Sequence, residues 1–191
     1  MRGGETGARP CPQKRERLSP ACYGQRVFIR ELLRALSAAR IQYCIVGGVA
    51  VNLHGIPRMT YDLDIVVALD AATLRAVDAL LDDFGLAPRH GIRLVELADA
   101  ETRNRARAER NLIAVSYGDP SDPLREVDVL VAPPIDPSQL IARATNLDLG
   151  GISVKVVSLD DLIALKRAGG REHDLSDLQH LERIRDEPAD V

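Results

Sequence analysis

The sequence predicts an α/β (α+β) fold with a small mixed β-sheet, flanking helices and a helical C-terminal part. Three observations indicate this class. Short apolar runs typical of strands alternate with stretches of helical periodicity. Segments 112–117 and 124–131 flank the turn-rich segment 118–123, which predicts a hairpin and argues against a purely parallel sheet. Two segments of helical spacing then close the chain.

The first half of the chain alternates predicted helices and strands. Its elements are a helix at 27–39, a strand at 41–46, a helix at 49–53, a strand at 61–68 and a helix at 70–84. The first helix has apolar residues at helical spacing, and the first strand ends at a Gly47-Gly48 turn. Asp70 is a suitable N-cap for the last of these helices, and Gly85 ends it.

The second half begins with a segment that has no apolar stripe. Residues 94–110 are rich in Arg, Glu and Ala, which predicts a polar helix or a mobile excursion. The elements predicted after it are the strands 112–117 and 124–131, a helix at 137–144, a strand at 152–157 and helices at 159–167 and 174–185.

Length and charge predict one domain with short tails. Residues 1–26 carry six Lys or Arg against two Glu and are rich in Gly and Pro, which predicts a disordered basic tail. The domain is predicted at 27–185, with a core at 40–131 and a helical C-terminal part at 137–185. Residues 186–191 form a second tail.

Composition excludes several classes of protein. Aromatic residues make up 3% of the chain, which argues against a protein that stacks many bases in succession. There is no apolar run of about 20 residues and no signal-peptide pattern, so we expect a cytoplasmic protein without a membrane contact. The three cysteines are widely spaced and form neither a disulfide framework nor a zinc motif.

Two acidic residues share one face of the predicted strand 61–68. Side chains alternate along a strand, so Asp62 and Asp64 point the same way, about 5–7 Å apart. Their repulsion is on the order of 3 kcal/mol at an effective dielectric constant near 20. A divalent cation such as Mg²⁺ would relieve it, since Mg²⁺ binds one or two carboxylates together with substrate phosphates. The alternative is an exposed strand face with two solvated acids.

The Gly47-Gly48 turn lies close to this strand in sequence. It follows a strand and precedes a helix, a position where the backbone can approach a phosphate and helical N–H groups are free. An ordinary strand-to-helix turn is the alternative. Asp128, in a valine-rich strand, is a candidate third carboxylate for a two-metal site, and Glu126 on the same face competes for that role.

Three further candidates lie near the C-terminus. Lys166 continues the apolar stripe of its helix, which predicts either a snorkelling lysine or an ammonium directed at a buried anion, a triphosphate or the carboxylates. Asp174 and Asp177 share a helix face, and Asp174 is also a suitable N-cap. Arg58 is a candidate clamp for phosphate or carboxylate, and His54 is equally consistent with a turn.

These residues together resemble a known family. The segments 46–50, 54–55 and 58–65, with the tail segment 158–177, resemble the minimal nucleotidyltransferases of the polymerase-beta-like superfamily. The similarity is greatest to the AbiEii/MenT-like group, which includes toxins of toxin–antitoxin pairs. The resemblance covers roughly residues 27–185. The spacing from Lys166 to the aspartate pair is shorter than in some toxin relatives.

The resemblance implies an enzyme and assigns roles. It implies transfer of a nucleoside monophosphate from an NTP to an acceptor hydroxyl, with Mg²⁺ or Mn²⁺ as cofactor. The acceptor is a tRNA, a protein or a small molecule, and a cognate antitoxin is an expected partner. A nucleotide-binding scaffold without turnover is the alternative. The implied catalytic residues are Asp62, Asp64, Lys166, Asp174 and Asp177. The implied nucleotide-binding residues are Gly47, Gly48, Arg58, Thr60 and Lys166, and the implied metal ligands are Asp62, Asp64 and Asp128.

Overall fold

One seven-stranded sheet organises the described part of the chain. The computed structural model describes residues 20–186. The strands are β1 (Tyr43–Ile45), β2 (Asp62–Val67), β3 (Ala87–Pro88), β4 (Ala114–Gly118), β5 (Glu126–Leu130), β6 (Thr145–Asp148) and β7 (Ser153–Val156). The helices are α1 (Pro20–Ala38), α2 (Gly47–Leu53), α3 (Ala71–Asp83), α4 (Ala100–Arg110), α5 (Pro137–Arg143), α6 (Leu159–Gly169) and α7 (Glu172–Asp186).

The sheet is mixed, as the sequence predicts. Its strand order is β3-β4-β5-β2-β1-β7-β6. Strands β2 and β5 run parallel, as do β1 and β7, whereas the other four neighbouring pairs are antiparallel. The predicted hairpin is the β4–β5 pair. The central strand β2 therefore has β5 on one side and β1 on the other.

The two faces of the sheet are covered by different helices. On one face Leu63 of β2 is fully buried, and Tyr117 of β4 shares that face because both residues pair with Val127. The Tyr117 hydroxyl donates to Asp78 of α3 and accepts from the backbone amide of Leu94 at 3.0 Å. Helix α3 and the 3₁₀ helix Leu94–Leu97 thus cover this face.

The opposite face carries Asp62 and Asp64. Cys44 of β1 points to the same side, since it pairs with Val66, two residues after Asp64. Burial, followed by the charge of Asp161 in α6, raises the pKa of the Cys44 thiol to about 12. Arg143 of α5 donates to both carboxylate oxygens of Asp161, at 2.9 and 2.8 Å. Helices α5 and α6 are thus joined on the acidic side of the sheet.

The first helix corrects the predicted boundary of the basic tail. Helix α1 begins at Pro20, so residues 20–26 are helical, while residues 1–19 lie outside the described residues. Proline suits the first turn of a helix because its fixed φ is helical and its missing N–H has no partner there anyway. Gln25 is buried and donates to the backbone carbonyl of Tyr61. This hydrogen bond ties the N-terminal part of α1 to the segment before β2, and apolar periodicity cannot predict it because Gln25 is polar.

Other elements differ from the prediction in smaller ways. Strands β3 and β6 were not predicted, and β6 with β7 adds a hairpin to the C-terminal part that was expected to be helical. Segment 94–110 forms the 3₁₀ helix and α4, a polar helix without buried residues. Helix α7 begins at Glu172 rather than Asp174. Among the described residues, no helix is both long and apolar enough to cross a membrane.

Candidate active site

Three carboxylates from neighbouring strands lie close together on the acidic face, which is the face of the sheet that carries Asp62 and Asp64. Asp64 of β2 lies in register with Asp128 of β5, and Asp62 lies two residues earlier on the same face. One oxygen from each carboxylate falls in a set whose members lie within 4.8 Å of one another. The parallel pairing of β2 and β5 therefore assembles the predicted trio, which we call the acid triad.

The acid triad is short of positive charge. Burial, and then the charges of Asp62 and Asp128, raise the pKa of Asp64 to about 7, against a smaller lowering by the Gly48 backbone amide and by Lys166. The Oδ1 atom of Asp128 is buried and has no hydrogen-bond partner among the described residues. A buried carboxylate oxygen without a donor is costly, and a divalent cation would satisfy it. Hard oxygen donors on three converging carboxylates fit Mg²⁺ or Mn²⁺.

The two glycines allow the start of α2 to approach β2 closely. Gly47 has a φ of +61°, and a Cβ there would lie 1.8 Å from Oδ2 of Asp64. A Cβ on Gly48 would lie 2.4 Å from Oγ1 of Thr60. Larger residues at positions 47 and 48 would displace β2 or the segment before it. The glycines are thus required where the chain passes the acid triad.

The segment before β2 orients the first acid of the triad. Thr60 donates from Oγ1 to Oδ1 of Asp62 at 2.9 Å. Asn52 of α2, which the sequence analysis did not single out, accepts the backbone N–H of Arg58 at 2.7 Å and so ties this segment to α2. An asparagine in the last turn of a short helix carries no distinctive sequence signal, so only the fold reveals its role.

A second ionic cluster joins the C-terminal helices to this segment. Lys166 is 8% exposed, and its Nζ lies 2.7 Å from Asp174 and 2.8 Å from Asp177. Nη1 of Arg58 lies 2.5 Å from the same Oδ2 atom of Asp177. We call these four residues the C-terminal cluster. The buried anions that Lys166 contacts are thus Asp174 and Asp177, and its interaction with a triphosphate stays a prediction. The positive charge of Lys166 also lowers the pKa of Asp64.

The structure gives the surroundings of three residues for which the sequence left alternatives open. Asp174 is not an N-cap, because α7 begins two residues earlier; its Oδ2 accepts the Arg171 backbone amide at 3.3 Å. Glu126 lies opposite Asp62 but pairs with Arg89 at 3.0 Å and is not part of the acid triad. His54 has a structural contact, since its Nε2 lies 2.8 Å from the carbonyl oxygen of Val157.

Comparison with protein families decides the affiliation of the chain. The family described as "Nucleotidyl transferase AbiEii toxin, Type IV TA system" matches residues 31–190. The chain belongs to the AbiEii nucleotidyltransferase toxin family. The match spans both the acid triad and the C-terminal cluster, so the resemblance seen in the sequence is confirmed. No curated protein sequence matches the chain.

Solved structures show the same fold at low sequence identity. The lincosamide antibiotic adenylyltransferase LnuA, bound to lincomycin, is 14% identical with a TM-score of 0.56, covering 83% of this chain and 96% of its own. An antigenic nucleotidyltransferase-like protein from Paracoccidioides brasiliensis is 20% identical with a TM-score of 0.53, covering 84% and 74%. The antibiotic-resistance factor ANT(2'')-Ia is 11% identical with a TM-score of 0.53, covering 85% and 88%. The fold of this AbiEii-family chain is thus that of nucleotidyltransferases.

Proposed function

We propose that this AbiEii-family protein transfers a nucleoside monophosphate from an NTP to an acceptor hydroxyl, as the toxin of a toxin–antitoxin pair acting on tRNA. The observation that carries the proposal is the acid triad, whose ligand oxygens lie within 4.8 Å of one another and include the unpartnered, buried Oδ1 of Asp128. Family membership and fold support the enzyme class. A cognate antitoxin is the partner expected for such a toxin.

Asp62, Asp64 and Asp128 would hold the Mg²⁺ or Mn²⁺. Bound there, the metal supplies Lewis-acid polarisation of the reacting phosphate and lowers the pKa of the acceptor hydroxyl. In the reaction, the acceptor oxygen forms a bond to the α-phosphorus, the bond to pyrophosphate breaks and the hydroxyl proton is released. Positioning and charge stabilisation are therefore the main tasks of the protein.

Residues around the triad would fix the geometry of the nucleotide. Thr60 holds the Asp62 carboxylate through its hydroxyl, and the absence of side chains at Gly47 and Gly48 lets the Asp64 carboxylate and Thr60 pack directly against the start of α2. Lys166 provides a positive charge within electrostatic range of Asp64. In this scheme Asp174 and Asp177 position the Lys166 ammonium, and Arg58 connects α7 to the segment that precedes Asp62.

A labelling experiment tests the proposal. The protein is incubated with each α-³²P-labelled NTP and Mg²⁺ in the presence of total RNA or RNA-depleted lysate, and the labelled product is identified. We expect label in tRNA and a loss of at least about 10³-fold in rate for the variant Asp62→Asn/Asp64→Asn.

The outcomes of this experiment separate the alternatives. Label in a protein or a small molecule would keep the chemistry and replace the acceptor. No label in any fraction would favour a scaffold that binds nucleotide without turnover. Full turnover by the double variant would refute the assignment of the site. A charge-matched control is Asp83→Asn/Asp160→Asn, which changes two exposed acids outside the site and should retain activity.

A further inference from the structure

The acidic face continues beyond the triad towards the β3 edge of the sheet. Paired residues of neighbouring strands share a face, so Ser116 lies beside Asp128, and Gly118 lies beside Glu126. Glu126 in turn lies beside Asp62. The surface next to the triad on this side is therefore formed by a serine and a glycine, which keep it low, and Gly118 is buried.

Arg89 lies across this low surface. A Cβ on Gly118 would meet the Arg89 Nε, Cζ and Nη2 atoms at 2.5, 2.6 and 2.6 Å. The guanidinium thus occupies the space above Gly118 on the face that carries the acid triad. The Arg89 backbone donates to the Ser116 carbonyl at 2.9 Å, which holds the residue at the strand edge. A glycine inside a strand marks such a close approach.

The strand order separates this surface from the predicted nucleotide position. The Gly47-Gly48 turn follows β1, on one side of β2, whereas Gly118 is on β4, on the other side. Neighbouring strands are about 4.8 Å apart, so the Arg89 guanidinium lies about 10 Å from the strand of Asp62. When an NTP is bound at the Gly47-Gly48 turn, the acceptor has to approach from the other side of β2, where β5 and β4 lie.

We propose that Arg89 is a specificity-determining residue that binds a phosphodiester of a nucleic-acid acceptor next to the reacting hydroxyl. The inference rests on the proposed function. A guanidinium has five N–H donors, and the contact with Glu126 at 3.0 Å involves Nη2. The Arg89 side chain is 35% exposed, and exposed ion pairs of this kind are weak, so a phosphate can compete with Glu126. A cationic acceptor would instead be repelled at this position.

A binding measurement tests the role of Arg89 without turnover. The probe is end-labelled unfractionated tRNA, its binding followed by fluorescence anisotropy over a KCl titration. Arg89→Gln should weaken binding about tenfold and lower the slope of log K against log salt by about one. The matched control is Arg75→Gln, an exposed arginine of α3 on the opposite side of the sheet, which should leave the slope unchanged.

A glycine variant tests the geometry and keeps the charge. Gly118→Ala displaces the guanidinium, so it should weaken tRNA binding as Arg89→Gln does. Since both substitutions remove the same contact, the double variant should bind tRNA with the affinity of the single variant that binds less tightly. NTP affinity should not change in any of the three variants. Loss of tRNA binding in Gly118→Ala alone, with Arg89→Gln unaffected, would refute the proposal.

The outcome is distinguishable from failure of the proposed function. Equal tRNA binding by Arg89→Gln and Arg75→Gln, or no tRNA binding by the unmodified protein, would overturn the role of Arg89 even where nucleotide transfer is active. Conversely, a lower slope of log K against log salt for Arg89→Gln would support tRNA binding by Arg89 even if the protein transfers no label.

Discussion

The acid triad and the C-terminal cluster use the same residue type in opposite electrostatic settings. In the triad, Asp62, Asp64 and Asp128 meet without a paired cation in the described contacts, and the pKa of Asp64 is raised to about 7. In the cluster, Asp174 and Asp177 are both buried, and each contacts Lys166. Burial is the largest cause of the raised pKa of Asp64, and the charges of Asp62 and Asp128 add to it. The buried carboxylates of the cluster instead have a buried ammonium as a direct partner.

The difference assigns distinct tasks to the two regions. A carboxylate group without its own cation attracts one from solution, which suits a metal and substrate site. A buried cluster with its own lysine and arginine is complete, and it fixes the position of the elements it joins.

The largest effect on stability is expected for Lys166→Met. The substitution leaves Asp174 and Asp177 buried without the ammonium, which should lower the free energy of unfolding by about 3–5 kcal/mol in urea titrations. Arg167→Met is the control: this neighbouring arginine is 57% exposed and pairs with Glu182, so its loss should cost less than about 1 kcal/mol. Equal effects of the two variants would contradict a buried, structural role of the cluster.

Asp64→Asn should change the pH dependence of stability in the metal-free protein. A carboxyl whose pKa is raised on folding binds more protons in the folded state, so stability falls as pH rises from about 4 to about 7. Between pH 5 and 7, measured in EDTA, this contribution is about 2 kcal/mol, and it should be absent from the Asn variant. Parallel pH profiles of the two proteins would show that the pKa of Asp64 is not raised in the folded protein.

A smaller effect is expected for Arg58→Lys. A lysine keeps the charge but not the guanidinium geometry, so the contact with Asp177 should weaken and the free energy of unfolding should fall by about 1 kcal/mol. Arg171→Lys, at an exposed position, is the control. A tenfold increase in KM for NTP without a change in stability would instead place Arg58 on the nucleotide.

Sequence patterns predicted those parts of the molecule that depend on local periodicity. The shared face of Asp62 and Asp64 follows from strand alternation, and the burial of Lys166 follows from its position on an apolar stripe. The register that places Asp128, rather than Glu126, beside Asp64 is a pairing between distant segments, and strand alternation puts both acids on the same face. Only the fold could decide between them.

Strands β3 and β6 were not predicted because their sequences are unfavourable for strands. Strand β3 contains Pro88, which lacks a backbone N–H and is tolerated only at an edge. Strand β6, at the other edge, has the sequence Thr-Asn-Leu-Asp, and Asn and Asp are unfavourable in strands. Pairing with β7 overrides that preference. Both edge strands are therefore consequences of tertiary contacts that local propensity does not contain.

The most direct test of the comparison is a calorimetric titration with Mn²⁺. The unmodified protein, the variant Asp62→Asn/Asp64→Asn and the charge-matched variant Asp83→Asn/Asp160→Asn are titrated under the same conditions without added nucleotide, because nucleotide phosphates bind Mn²⁺ themselves. We predict saturable Mn²⁺ binding by the unmodified protein and the charge-matched variant, and its loss in the triad variant. Mn²⁺ binding retained by the triad variant would contradict the assignment of the acid triad as the metal site.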